Sequence, residues 1–327
     1  MSQPCEPARS TPKLGPVLVT GGNGFIASHI IDKILEGDPG CEIHSLDINT
    51  RCNRHPNAHY HQGDISCLAD VQRIMRTAKP VTVFHTAAPE FFDLPKSAYQ
   101  SIIVDGTNNL INAAVNVGTV HCLVYTSTSS LIHDNLSDLF DATEDMLADA
   151  EEVILTANCN KSFLTCSLSP CFTIGERCID GLGRMVASAQ GGWARYQLGN
   201  GKNLYDFVYV GNVADAHVLA AQHLLNAWGK ASTNNPDSRV DGEVFHITNG
   251  NPVRQEEIIV VPKWLALTIG FVTESPTMTR DGIRFSTITR TISGDKAMRV
   301  LGYQPRVSVQ EGIERGVKWI LEHQKMA

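Results

Sequence analysis

Between Val17 and Ala27 the chain reads VLVTGGNGFIA, an apolar run followed by glycines at 21, 22 and 24 and then by apolar residues at helical spacing. Small residues at such a turn let the backbone bend tightly and approach a ligand. The helix that follows offers unpaired N–H groups and the positive end of its dipole. That combination suits a pyrophosphate, with Gly21, Asn23, Gly24, Phe25 and Ile26 as the residues facing it. Ala27 holds the third small position, where alanine still permits close packing of helix on strand. Asp47 ends the next apolar run, 23 residues after Gly24. A carboxylate there accepts both hydroxyls of an adenosine ribose and repels a 2′-phosphate, which favours NAD. Arg51 and Arg54 follow closely, and either would make room for NADP.

Other reactive side chains are weaker signals. The hydroxyl run Ser127–Ser130 lacks the G-x-S-x-G elbow of a hydrolase. It suits either a catalytic hydroxyl or an ordinary strand-end cap. No nearby set of cysteines or carboxylates completes a tetrahedral metal site with His55, His59 and His61, so no metal is expected. Asp141, Glu144 and Asp145 read as a solvated turn.

These residues sit in a regular frame. Strand-like runs at Pro16–Thr20, Glu42–Asp47, His59–Gln62, Val81–Thr86 and His121–Ser127 alternate with helical periods at Gly24–Leu35, Leu68–Thr77 and Val104–Val117. That rhythm predicts an α/β fold, a doubly wound parallel sheet of Rossmann type. Beyond it lie a helix at Glu151–Ala157, a strand from Phe163 to Leu168, a helix at Val213–Leu225, a strand at Phe245–Thr248 and a final amphipathic helix at Val309–His323. The expected organisation is a flexible arm (1–13), a dinucleotide-binding domain (14–168, with 205–250 returning to it) and a smaller substrate-binding region (169–204 and 251–327).

A chain of 327 residues, 43% hydrophobic, buries a sizeable core without metals or disulfides. A net charge of -7 argues against nucleic acid. The nine cysteines form no C-x-x-C pair and read as reduced, buried small hydrophobes of an intracellular protein. The N-terminus has no apolar stretch of signal-peptide type. Ile258–Val272 is apolar but too short to span a membrane, so it reads as a buried helix or one lying on a membrane surface.

Further along stand Gly63-Asp64-Ile65 and Phe84-His85-Thr86-Ala87-Ala88-Pro89, then VDGTNNLINAA, LVYTSTSS, LYDFVYVGNVADAHVLAA, FHITNGNPV and DKAMRVLGYQP. Together with TGGNGFIASHI these resemble the 3-beta-hydroxysteroid dehydrogenase/isomerase branch of the extended short-chain dehydrogenases. DATED, ILTAN and FLTCSLSP are similar to fungal sterol-4-alpha-carboxylate 3-dehydrogenases. The resemblance runs from Pro16 to the C-terminus. It implies an NAD(P)-dependent oxidation of a 3-beta-hydroxyl on a sterol-like substrate. It sets Asp64 and Ile65 by the adenine, Ala87 and Ala88 by the adenosine, and Thr128 as the hydroxyl that orients the substrate oxygen. It also implies a homodimer with a small hydrophobic substrate and peripheral membrane contact, in the cytoplasm or at the endoplasmic reticulum.

The resemblance breaks at one place. The family's proton acceptor is a tyrosine, assisted by a lysine four residues on. None of the seven tyrosines here has a lysine at that spacing, and the block expected between DATEDM and ADAEE is missing at Met146–Ala148. Asn251–Val260 and Glu274–Pro276 also run short. Lys161 has no tyrosine partner to complete a pair. The alternatives are therefore a dehydrogenase by descent, a catalytically impaired dinucleotide-binding protein, or an alcohol dehydrogenase of secondary metabolism.

Overall fold

The apolar run at Val17 becomes strand β1 (Val17–Thr20), all four residues buried at the middle of a sheet. The computed structural model describes residues 12–89, 100–129, 138–144, 149–159, 163–191, 197–198, 202–230, 235, 237–254, 260–261 and 288–324. After β1 come helix α1 (Phe25–Gly37), β2 (Ile43–Asp47), β3 (Ala58–Gln62), α2 (Leu68–Ala78) and β4 (Thr82–His85). A π turn at Ser101–Asp105 leads into α3 (Gly106–Val117) and then β5 (Cys122–Thr126). The second half contributes β6 (Leu139–Ala142), α4 (Asp149–Ala157), β7 (Leu164–Pro170), β8 (Phe172–Ile174) and α5 (Arg184–Gln190). It continues with β9 (Gln197–Leu198), β10 (Leu204–Tyr205), β11 (Phe207–Tyr209), α6 (Val210–Ala227), β12 (Val244–Ile247), β13 (Val253–Arg254), β14 (Val260–Val261), β15 (Arg290–Ile292) and α7 (Val309–Gln324).

Seven strands form one parallel sheet in the order β12-β7-β5-β4-β1-β2-β3. Winding runs outward in both directions from β1 and β4, so the strand order reverses between them. In such sheets the crevice outside the carboxyl ends at the reversal is where ligands bind. The predicted doubly wound fold is present.

Because the sheet is covered on both faces, alternate side chains of one strand feed two cores. Val17 and Val19 of β1 join Ile30, Ile34, Val213, Ala216 and Ala220 beneath α1 and α6. Leu18 points the other way, to Val71, Ile74, Leu110 and Ile154 beneath α2, α3 and α4.

The short strands form small sheets, β13-β10-β15-β6, β11-β8 and β14-β9. Only two or three residues long in most cases, they carry too little alternation for a period to be read, and none was expected from the sequence; α5 is likewise unexpected. Of the described cysteines, Cys41, Cys122, Cys166, Cys171 and Cys178 are buried as expected, but Cys52, Cys67 and Cys159 are exposed. No described helix is long and apolar enough to cross a membrane. Apart from Val260–Val261, the apolar run Ile258–Val272 lies outside the described residues, as do Met146–Ala148 and Lys161.

Candidate cofactor and active site

Two glycines shape the turn after β1. Gly21 has φ +65°, and a Cβ there would lie 2.8 Å from the Ala87 backbone, so the turn and the β4 end pack main chain on main chain. A Cβ on Gly22 would lie 2.2 Å from Ser45 Oγ. Asn23 then staples the turn to the loop after β2. Its N–H donates to Asp47 Oδ2 at 3.0 Å, its Oδ1 accepts from Ser45 Oγ at 3.2 Å, and its Nδ2 donates to the Cys52 carbonyl. Its own carbonyl accepts from Asn53 Nδ2 at 2.9 Å. With the Asn23 side chain buried and committed inside the protein, what it offers a ligand is position.

The first intrahelical bond of α1 runs from Ser28 N–H to Gly24 O, and no side chain caps the helix. The amides of its first turn, at Phe25, Ile26 and Ala27, are those a helix N-terminus leaves for an outside acceptor. Phe25 and Ile26 turn their side chains toward neighbouring apolar clusters.

Asp47 stands at the carboxyl end of β2. Its second oxygen, Oδ1, accepts from Asn49 N–H at 2.9 Å, which fixes the carboxylate plane. Arg54, one of the two arginines suited to a 2′-phosphate, lies over the Tyr60 ring at 4.7 Å. Asp64 is exposed and accepts from Ser66 N–H and Oγ at the entry to α2. Ile65 is buried in the core against Gly106, and its carbonyl accepts from Asn109 Nδ2 at 3.2 Å. The narrow, glycine-lined turn, the open helix end and the oriented carboxylate together fit a nicotinamide dinucleotide. The turn would hold its pyrophosphate and Asp47 its adenosine ribose.

Beneath this turn lies a buried chain of hydrogen bonds that the sequence alone did not reveal. Thr107 Oγ1 donates to the Ile103 carbonyl and therefore accepts from His85 Nε2, 2.9 Å away. That fixes the proton on Nε2, so His85 Nδ1 accepts from Thr20 Oγ1 at 2.8 Å. Thr20 Oγ1 in turn accepts from the Ala87 N–H at 3.3 Å. Burial holds His85 neutral, with its pKa lowered to about 3. His217 of α6 is neutral for the same reason, lowered to about 4. It donates from Nδ1 to the Val213 carbonyl and accepts from Thr126 Oγ1 on Nε2.

At the other end of the crevice β5 runs into the hydroxyl cluster. Ser127 is 6% exposed and its Oγ has no partner among the described residues, while Thr128 is half-buried. Behind the cluster, Glu151 of α4 accepts from Ser167 Oγ at 2.9 Å and Ser169 Oγ at 3.0 Å, both on β7. Glu144, expected in a solvated turn, instead accepts from the His246 N–H at 3.0 Å. Two further residues join the cluster that sequence reasoning missed. Arg290, 2% exposed, donates to the Ser129 carbonyl and hydrogen-bonds the Tyr205 hydroxyl. His59 and His61 lie within β3, as the strand-like run predicts, and His61 bonds His44 at 2.8 Å. No group of three or more potential metal ligands suited to an ion occurs among the described residues.

The profile of the 3-beta hydroxysteroid dehydrogenase/isomerase family matches residues 18–270. The decarboxylating sterol-4-alpha-carboxylate 3-dehydrogenase of Saccharomyces cerevisiae is 30% identical, over 95% of this chain and 99% of the yeast protein. The corresponding mouse protein is 27% identical over 92% of this chain and 89% of its own length. The yeast alignment spans 357 positions against the 327 residues of this chain, so at least 30 positions face gaps here. Among solved structures, a UDP-glucose 4-epimerase of Thermotoga maritima matches with TM-score 0.72 and 22% identity, covering 94% of this chain and 99% of its own. A Thermus thermophilus UDP-glucose 4-epimerase in complex with NAD matches with TM-score 0.68 and 22% identity, covering 93% and 98%. These two likenesses show the shared fold.

Proposed function

The chain belongs to the 3-beta hydroxysteroid dehydrogenase/isomerase family, and from that premise we propose that it binds NAD and slowly oxidises the 3-beta-hydroxyl of a sterol-like substrate. The observation that carries the reading is the glycine turn stapled through Asn23 to Asp47. Bound there, NAD would accept the hydride from the carbinol carbon. The chain's own residues do the rest. The backbone amides at the turn hold the pyrophosphate, Asp47 accepts the ribose hydroxyls and disfavours a 2′-phosphate, and Thr128 orients the substrate oxygen. In a sterol 4-carboxylate, the substrate class named for the yeast relative, the new ketone would let the adjacent carboxylate leave as carbon dioxide. A hydrophobic substrate of this kind supports peripheral contact with a membrane, with the chain working as a homodimer in the cytoplasm or at the endoplasmic reticulum.

The missing tyrosine–lysine pair favours a second reading, a dinucleotide-binding protein with impaired catalysis. Calorimetry and turnover separate the two. Heat and a thermal shift at millimolar NAD are expected, with NADH formation from a 3-beta-hydroxysterol well below about 1 per second, the low end of ordinary enzyme rates. Absence of heat and thermal shift would reject the cofactor assignment. Binding without any NADH would leave the second reading.

A further inference from the structure

The loss of the tyrosine–lysine spacing leaves open which group moves the substrate proton. Strands β10 and β15 pair in parallel with Tyr205 directly opposite Arg290. The Arg290 guanidinium reaches both the Tyr205 hydroxyl and the carbonyl of Ser129, the residue after Thr128. Tyr205 packs against Phe172 and Phe207, with ring centroids 6.2 Å and 5.4 Å away. Phe172 opens β8, separated by one residue from the carboxyl end of β7, and both phenylalanines are half-buried. A phenol that is 8% exposed, with a cation and an apolar wall, is therefore linked through Arg290 to Ser129 at the end of the hydroxyl cluster.

The other described tyrosines are placed differently. Tyr125 lies near the Glu151 carboxylate, and Tyr60, within β3, lies under Arg54. Tyr303 is fully buried with its hydroxyl on the Thr248 carbonyl, and Tyr209 bonds Glu176 and Arg315 at α7.

We propose that Tyr205, held by Arg290, is the proton-transfer group of this chain, taking the part of the missing tyrosine–lysine pair; the inference rests on the dehydrogenase reading above. As the carbinol hydrogen leaves with two electrons for NAD, the substrate hydroxyl gives its proton to the Tyr205 phenolate. The C–O bond becomes C=O, and the phenol later releases the proton to water. A guanidinium stays charged throughout and favours the phenolate, as the family's lysine would.

Burial pushes the Tyr205 phenol up to about 12, against the downward pull of Arg290; Cys171, in the turn after β7, adds to the rise. The neighbouring Asp206 carboxylate is committed to the Ile292 N–H and the Thr248 hydroxyl. At neutral pH the group is therefore a ready acid for ketone reduction and a scarce base for alcohol oxidation. Oxidation should climb about tenfold per pH unit from 7 to 10, following the phenolate fraction.

The test measures initial NADH formation from a 3-beta-hydroxysterol across that range for wild type, Tyr205→Phe, Arg290→Gln and Arg290→Lys. In parallel it records the infrared carbonyl stretch of a 3-ketosteroid bound to the cofactor-free proteins. Tyr205→Phe should cost about 10²–10⁴-fold, the usual span for a general acid–base group, and flatten the pH slope. It should also move the carbonyl stretch back to higher frequency. Arg290→Gln should keep the slope at a lower rate, and Arg290→Lys should restore most of that rate. If Tyr205→Phe retains rate, slope and carbonyl frequency, the assignment is overturned. If wild type binds NAD but forms no NADH at any pH, the dehydrogenase reading fails first and the inference goes with it. Should Tyr205→Phe fail to fold, an Arg290→Gln protein with wild-type rate and carbonyl frequency overturns the proposal by itself.

Discussion

The two ends of the crevice are built on different principles. At the β1–β2–β4 end, the proposed recognition rests on main chain and on short side chains locked to it: the turn at Gly21 and Gly22, Asn23 on Asp47, and the bonds running from Ala87 through His85. At the β5–β7 end, the proposed chemistry would need two side chains at fixed spacing on one segment, and no tyrosine of the chain has a lysine four residues on. Backbone geometry distributed over several strands tolerates a deletion elsewhere. A spacing within one segment does not. Binding and turnover should therefore be separable in this chain.

The largest effect tests that separation directly. Inserting the family's tyrosine–lysine block after Met146 should raise NADH formation by about 10²–10⁴-fold, the span of general acid–base catalysis. NAD affinity should rise less than about tenfold, since only the ribose contact of the lysine is regained. Paired rate and calorimetric measurements that show affinity rising as much as rate would erase the distinction between the two ends.

Acid sharpens the comparison at the cofactor end. His85 and His217 are held neutral at about 3 and about 4. The unfolded chain binds those protons near pH 6.5 and the folded chain does not. Stability from these groups is thus complete above about 6.5 and falls as pH drops below it, by up to about 1.4 kcal/mol per pH unit for each. Urea unfolding should show a loss of about 2.5 kcal/mol between pH 5.5 and 4.5 from the pair. His85→Gln should roughly halve that slope. An unchanged slope would mean His85 is not held neutral in the fold.

The smallest effect concerns discrimination. Asp47→Ala removes charged hydrogen bonds to ribose and should weaken NAD by about tenfold, equivalent to about 1.4 kcal/mol, while leaving NADP nearly unchanged. Equal losses measured for both cofactors would reject the ribose assignment.

The parts legible in the sequence are those with local signatures. The glycine turn, Asp47 and the strands of the large sheet each announce themselves within about ten residues, whereas VLVT is apolar throughout and only the structure divides β1 between two cores. Tyr205 and Arg290 were not legible as a pair. They are 85 positions apart in strands of two and three residues, too short for any period to show, and only their pairing brings them together. Thr20, His85 and Thr107 were hidden for a similar reason. Each reads as an ordinary strand or helix residue until the sheet sets them in line. The exposed Cys52, Cys67 and Cys159 were misjudged because composition carries no information about which face of a turn a residue takes.

That line of three residues constrains how the sequence can drift. Each donor in it points one way, from the Ala87 amide to the Ile103 carbonyl, so changing one member strands a buried group at about 1–3 kcal/mol. An apolar replacement is tolerable only if its neighbours in the line become apolar too. Positions 20, 85 and 107 should therefore change as a set among descendants of this chain, a three-site epistasis that an alignment of its near relatives would display as covariation.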